Sequence, residues 1–437
     1  MTATDRHFEA KLGQSIRSRY TILRRLGAGS TSTTFLVQDT QPEDFMGKFY
    51  AAKILTHESS APESGPSREG DFLRKIAQKA AESEFSEESE FFGLLDHVAA
   101  LRDDFIITVS TGLGSEGNIG SDSEPARHLC LIMDLYSTSV SALRGPSPHK
   151  ALPVYMTRNI IMMLLQALEA IHALGIVHTD VKLDNLLFVE TRHVQENALE
   201  KYLEERPPTT DADSGLLVHD EPIPSDWTFE SSAHDFELST IYLVDFGHAK
   251  WVSKEPVATD FSPLSLRASE VILGAGFGPA IDIWAVGCLA FELLTGCRLS
   301  NPVNYEEGWT VKDDHLAKMQ ELTGHYVLAR ATQPDKYFDA EGGLLRIPTL
   351  TPITIEQAIE NYNPPGVTKE KISVLADFIR ECFHVDCLKR RTAWDLERHQ
   401  FFDVVGPFSS VFCLKPYSPP LQQASHPVKQ ASAAETA

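Results

Sequence analysis

Between Ile176 and Phe188 an apolar run is broken by a short polar stretch, His178-Thr179-Asp180-Val181-Lys182-Leu183-Asp184-Asn185, and then resumes as Leu186-Leu187-Phe188. A chain buried on both sides of such an interruption presents the polar side chains from a rigid base, which is how clefts carry chemistry. An ordinary helix-to-strand turn would also tolerate three polar residues, so the segment has to be weighed with what surrounds it. Asp180 can accept a hydrogen bond from a hydroxyl and orient it for attack, and Lys182 can neutralise a moving anionic group. Asn185 offers an uncharged oxygen to a cation.

Two further segments give that loop a ligand. Upstream, Tyr20 to Asp39 alternates apolar and polar residues around Gly27-Ala28-Gly29, the pattern of two antiparallel strands joined by a glycine turn, with Ser32 where a third glycine would complete G-x-G-x-x-G. A Gly-x-Gly alone is often only a turn. The next predicted strand, Phe49 to Leu55, carries Lys53, whose ammonium can reach phosphates covered by the turn. Without its neighbours Lys53 would read as an exposed edge lysine. Downstream, Tyr242-Leu243-Val244 ends in Asp245-Phe246-Gly247, where Asp245 can hold magnesium against two phosphate groups.

Around these segments the chain organises into a small β-rich part and a larger helical one. Residues 1 to 18 lack periodicity and read as a loose arm. Phe91 to Ala99 and His128 to Tyr136 read as two more strands flanking a Gly/Ser-rich loop. Apolar residues recur at helical spacing from Pro153 to Leu174, and helices alternate with Pro/Gly loops from about 260 to 403. Residues 191 to 240 are polar and acidic, which predicts a surface excursion dispensable for chemistry, and residues 404 to 437 read as a disordered tail. The balance of 39 basic against 61 acidic side chains, a net charge of −22, argues against nucleic acid or anionic lipid as the main partner and for a basic one. Six cysteines without a C-x-x-C pair suggest a reducing compartment, and the apolar stretch Ile160 to Ala173 is too short and interrupted to span a bilayer, so a soluble intracellular protein is expected.

The ordered set from Gly27 to Asp245 resembles the protein-kinase catalytic domain over residues 19 to 403. That resemblance implies an α+β bilobal fold: a small antiparallel β lobe with one helix (19 to 133), a hinge near Met133 to Tyr136, and a large mainly α-helical lobe (137 to 403). It implies an ATP- and magnesium-dependent serine/threonine kinase, with Asp180 and Lys182 catalytic and Asn185 and Asp245 on the metal. Gly27, Ala28, Gly29, Ser32, Lys53, Met133 and Leu135 would line the nucleotide site. The acidic partner of Lys53 is Glu69 if Phe91 to Ala99 is a strand and Glu90 if it is helix; the likeness of Phe91 to His97 to the family's fourth strand favours Glu69. Asp282 would brace the catalytic-loop backbone, and Glu270, in an Ala268-Ser269-Glu270 triplet that replaces Ala-Pro-Glu, would pair with Arg390.

Within the family the chain is most similar to the serine/arginine-protein kinases of fungal type. The features are Leu26 to Thr33 with its serine, Thr179 between His178 and Asp180, an insertion between Phe188 and Tyr242, and the segments Leu266 to Gly274 and Asp313 to Gly324. This implies a protein substrate, Arg/Ser-rich in character, a monomer, and a cytoplasmic or nuclear location. It also sets Glu306, Glu307, Asp314 and Glu321 near a groove for arginine-rich chains, with the plainer alternative that Asp313 or Asp314 caps a helix. Thr34 stands where a valine would meet the adenine, Leu183-Asp184 replaces Pro-Glu, and Cys297 replaces an acid. A catalytically weak pseudokinase scaffold is the main alternative.

Overall fold

The computed structural model describes residues 7–403 apart from 43–47, 62–67, 85–93, 110–124, 191, 193–196, 253–261, 277, 306–307, 325–330, 333 and 365. The tail 404–437 therefore lies outside the described residues. Alternating side chains in the first third build a sheet: β1 (Ser15–Ile16), β2 (Tyr20–Ala28), β3 (Ser32–Asp39), β4 (Phe49–Leu55), β5 (Leu101–Val109) and β6 (Ala126–Asp134). The sheet is antiparallel in the order β1-β2-β3-β4-β6-β5, so β4, buried along six of its seven positions, lies at its centre. Against it packs α1 (Glu69–Glu84), which presents Phe72, Leu73 and Ile76 to the core and begins with Glu69 and Asp71, acids suited to a helix N-terminus.

The chain then passes through β7 (Tyr136–Ser139) and α2 (Val140–Arg144) into α3 (Val154–Ala173). This 20-residue helix is long and apolar enough on average to cross a bilayer, beyond the shorter Ile160 to Ala173 stretch considered from sequence, but most of it is buried in the large lobe. Next come β8 (Ile176–Val177), β9 (Leu186–Val189), α4 (Ala198–Glu205), α5 (Ala233–Phe236), β10 (Ile241–Leu243) and β11 (Lys250–Trp251). Beyond them are α6 (Ser269–Ile272), α7 (Ala280–Thr295), α8 (Val311–Thr323), α9 (Ile355–Glu360), α10 (Lys369–Cys382) and α11 (Ala393–Glu397). The helix α7 is apolar nearly all round and buried at 15 of its 16 positions, so it forms the axis of this lobe. It ends at Gly296, whose φ of +75° is the left-handed cap geometry; a Cβ there would collide with the His149 carbonyl.

Three sequence expectations change. The arm 1–18 is not loose from residue 7 onward: Phe8 is buried edge-on against Phe35 and His128, and β1 pairs with β2. The aromatic ring supplies the burial that the missing periodicity concealed. Phe91 to Ala99 is not the fourth strand; Leu94–His97 is a 3₁₀ turn, residues 91–93 lie outside the described residues, and the strand is β5. The turn exists because His97 Nδ1 donates to the Ile241 carbonyl at 3.0 Å and Ala99 N–H donates to the Leu243 carbonyl at 3.0 Å, tying it to the large lobe.

The third change concerns residues 191 to 240, which are not a surface excursion. Leu199 of α4 and Ile223 are buried with Leu36, Phe49 and Leu135 of the small lobe, while Trp227, Phe229 and Phe236 pack on the large-lobe core. A few apolar anchors spaced along a polar segment are enough to bury it, which average composition cannot reveal. Leu199→Ala should lower the unfolding free energy by about 2–4 kcal/mol, the cost of a cavity at a fully buried leucine. Urea titration of wild type and variant checks this, and an effect below about 0.5 kcal/mol would mean that α4 does not contribute to the core.

Candidate active site

The register of the small sheet sets the first half of the site. Thr34 pairs with Lys53 across β3 and β4, while Gly27 and Ala28 pair with Thr34 and Thr33 across β2 and β3, so the glycine turn lies beside the lysine. A Cβ built on Gly27 or Gly29 would meet no protein atom within 4 Å; this turn faces open space rather than packing. Below it is a cavity of about 590 Å³ whose walls include Gly27, Ala28, Gly29, Ser32, Lys53, Met133, Asp180, Lys182, Asn185 and Asp245. Leu135 is not among them: β6 ends at Asp134, so the strand alternation that would place Leu135 beside Met133 breaks there, and its side chain is buried beside Leu36 and Phe49 while Met133 and Tyr136 line the cavity.

Lys53 Nζ lies 2.8 Å from both the Glu69 and Asp245 carboxylates. Burial alone would lower the Lys53 pKa, but the two carboxylates outweigh it and hold the value above its ordinary one. Lys53 in turn holds the Asp245 carboxyl well below the usual range, despite burial. Burial pushes Glu69 up while Lys53 pulls it back. Glu69 also accepts the Phe246 N–H at 3.2 Å, which favours its charged form as Lys53 does. Glu69 is thus brought to Lys53, although the described residues of Phe91 to Ala99 form no strand; Glu90 lies outside the described residues.

The catalytic loop is held from below. Asp282, buried on α7, accepts the backbone N–H groups of His178 and Thr179 at 2.8 and 2.9 Å and contacts His172 Nε2 at 2.9 Å. Its pairing with His172 had no signal in the sequence. Burial lowers the His178 pKa and keeps it neutral; Nε2–H donates to the Val244 carbonyl at 3.0 Å, and the ring meets Phe246 edge-on at 5.0 Å. Thr179 and Asp245 both adopt left-handed backbone, φ +67° and +68°, a cost of order 1–3 kcal/mol each that these contacts sustain.

On this base Lys182 Nζ approaches Asp180 Oδ2 at 2.6 Å, and the Asn185 amide donates to the Asp180 carbonyl and carboxylate at 2.9 and 3.1 Å. With its nitrogen committed, Asn185 has its oxygen as the end suited to a cation. Asn185 and Asp245 form an all-oxygen pair on the cavity wall, a donor set that suits magnesium, which takes one or two protein oxygens and completes its shell with phosphate and water.

Farther out, Glu270 pairs with Arg390 at 2.7 Å in the buried interior, and Arg390 also lies over Trp284. The carboxylates expected to face a docking groove are committed elsewhere. Asp314 accepts the Val303 N–H at 2.8 Å and pairs with Lys318, and Glu321 accepts the Thr351 N–H at 2.8 Å. Asp313 forms a capping box with Thr310 and pairs with Arg346. These acids bind nearby loops because each has a backbone donor within reach. Glu306 and Glu307 lie outside the described residues. The site also contains residues unforeseen from sequence: Tyr136 to Ser139, and Pro222 and Ile223 from the insertion. Pro222-Ile223-Pro224, a small apolar island in an acidic stretch, was the only available signal for the latter.

Comparisons with known proteins agree with this geometry. The protein kinase domain matches residues 20–197 and 231–402. The chain is 27% identical to the serine/threonine-protein kinase SRPK of Physarum polycephalum, over 91% of this chain and 89% of that protein. It is 24% identical to the dual specificity protein kinase lkh1 of Schizosaccharomyces pombe, over 93% of this chain but 50% of that protein. It also matches 30% of the length of the probable dual specificity protein kinase madd-3 of Caenorhabditis elegans. The crystal structure of the kinase domain of PF14_0431 shares the fold at a TM-score of 0.59 and 20% identity, covering 91% of this chain and 99% of that one.

A chain of contacts links α8 to the catalytic loop. His315 Nε2–H donates to the Arg267 carbonyl at 2.8 Å, Arg267 donates to the Ser262 carbonyl, and Ser262 donates to the Thr179 carbonyl. Burial lowers the His315 pKa to about 4, so the unfolded chain binds the extra proton first. Its stabilising contribution is therefore complete above pH 6.5 and is lost as pH falls towards 4, by at most about 3 kcal/mol. His315→Gln should flatten the fall in urea midpoint between pH 7 and pH 4.5. Equal pH slopes for variant and wild type would contradict it.

Proposed function

The chain belongs to the protein kinase domain family, as a serine/threonine protein kinase, and from that premise we propose that it transfers the γ-phosphoryl of ATP to hydroxyls in basic, Arg/Ser-rich proteins. The observation that carries the transfer is the meeting of Asp180, Lys182, Asn185, Lys53 and Asp245 on one cavity wall. Asp180 orients the substrate hydroxyl and accepts its proton. Lys182, 2.6 Å from Asp180, lies where it can neutralise charge on the moving phosphoryl. Lys53, steadied by Glu69, holds the phosphates beneath the glycine turn. Asn185 and Asp245 would hold magnesium, which when bound screens the charge between the phosphates and the attacking oxygen.

The substrate class rests on three supports. A relative along most of the chain is named SRPK, the chain carries −22, and Asp184 is exposed at the cavity mouth. Arginine forks pair well with such carboxylates. Regulation follows from Thr179, which stands in place of an arginine. Its hydroxyl donates to the His248 carbonyl at 2.8 Å, so the activation segment is joined to the catalytic loop without a phosphate.

Asp180→Ala should lower turnover by about two to four orders of magnitude while ATP binding survives. Turnover with ATP-magnesium and an Arg/Ser repeat peptide, beside basic and proline-directed peptides, measures both the chemistry and the preference. Wild-type turnover in the variant would refute the role of Asp180, and equal rates on all three peptides would refute the substrate class. Phosphatase treatment of the purified enzyme should leave its activity in place; silencing would show that the Thr179 link is insufficient.

A further inference from the structure

The insertion crosses from one lobe to the other. On the large-lobe side, Arg192 donates to the Pro224 carbonyl at 2.8 Å and pairs with Asp226 at 2.6 Å. Tyr155 also donates to the Ser231 carbonyl. Ser225 N–H meets Thr138 just past the hinge at 2.9 Å. On the small-lobe side Glu221 N–H donates to the Arg25 carbonyl at 2.9 Å. Arg25 pairs with Asp220 at 2.7 Å, and Arg24 pairs with Glu221 at 3.4 Å. Leu217 N–H donates to the Ala10 carbonyl at 2.9 Å.

Where this segment passes the mouth of the cleft, Pro222 and Ile223 become part of the cavity wall. The cavity wall joins charged pairs, Lys53 with Asp245 and Lys182 with Asp180, to the apolar surface of Leu26, Ala51, Met133 and Leu187. Ile223 is about 1% exposed and packs with Leu135 at the hinge and with Leu26, which precedes the glycine turn. It therefore adds to the surface that a flat heteroaromatic base would cover, and it connects that surface to both lobes.

We infer that residues 220–225 form an interlobe strap whose Pro222 and Ile223 are nucleotide-specificity residues, closing the base end of the cleft and retaining the bound purine nucleotide. The inference rests on the nucleotide reading above. Asp220 and Glu221 are positioning residues: they do not line the cavity, and they hold the strap against Arg25 and Arg24.

The full-length chain tests this with a fluorescent N-methylanthraniloyl ADP and magnesium in stopped flow. Asp220→Arg with Glu221→Arg should raise the dissociation rate and Kd roughly five- to twentyfold, with KM for ATP rising more than kcat falls. The charge swap Arg25→Asp with Asp220→Arg should recover a large part of the loss relative to Asp220→Arg alone. Should the double reversal fail to fold, Ile223→Val, a smaller loss of buried volume, reports on the cavity side and should shift Kd in the same direction when binding is measured well below its slightly lowered thermal midpoint. Wild type and variants binding equally overturns the strap and leaves the nucleotide site standing. Wild type that binds none overturns both.

Discussion

The Lys53 ammonium between Glu69 and Asp245 is the contact on which the rest of the site depends. It joins a central strand of the small lobe, the helix packed upon it and the loop that follows β10 of the large lobe, with both distances at 2.8 Å. A charge this buried is stable only when paired, and removing one partner would leave the others uncompensated. The arrangement therefore forces α1 into place before the cavity can hold its charged groups together. Glu69 also receives the Phe246 N–H, so the same carboxylate that steadies the lysine fixes the ring that packs on His178. Small-lobe geometry and catalytic-loop geometry are thereby one problem.

Asp282 has the matching role beneath the loop. Its two oxygens take both backbone N–H groups at the start of the polar stretch, and this is what permits Thr179 to adopt φ +67°. The cost of that conformation is met by α7, the most completely buried helix, rather than by the loop. A rigid base under a strained loop makes the Asp180–Lys182–Asn185 spacing independent of substrate, which is the preorganisation that phosphoryl transfer uses in place of covalent chemistry.

The polar stretch at 178–185, Lys53 and Asp245 were legible because each is a polar interruption in an apolar run, and such interruptions are costly unless used; the role of Asp282 was legible through resemblance. Glu69 was legible only through resemblance, since Phe91 to Ala99 carried a strand-like pattern and forms no strand among its described residues. Leu135 was misread because the alternation that would place it beside Met133 does not continue past the end of β6 at Asp134. The insertion was misread most, because hydrophobic burial depends on where a few side chains land and not on mean composition. Leu199, Ile223, Trp227 and Phe236 are separated in sequence by acids and prolines, yet each finds an apolar wall. The helix acids Asp314 and Glu321 were misread for the opposite reason: periodicity places them on one face, but backbone donors from neighbouring loops reach them before any partner could.

These corrections change how opening of the cleft must work. In a two-lobe fold joined only at a hinge, the lobes separate by bending a few residues near Leu135. Here further ties cross the same gap, among them Lys53 to Asp245, the Ala99 to Leu243 backbone bond, and the insertion. The first lies inside the cleft and the second behind it, whereas the Arg25 to Asp220 ion pair lies at the mouth. Widening the mouth must stretch the outermost tie most, and that tie is ionic and partly solvated, so it is the weakest and the most sensitive to salt. Opening should therefore begin with the Asp220 to Arg25 contact, while Leu199 and Ile223 keep the insertion on the small lobe and the lysine and the bridge behind it remain closed. The polar, acidic composition that made the segment look dispensable is then what lets this outer contact release.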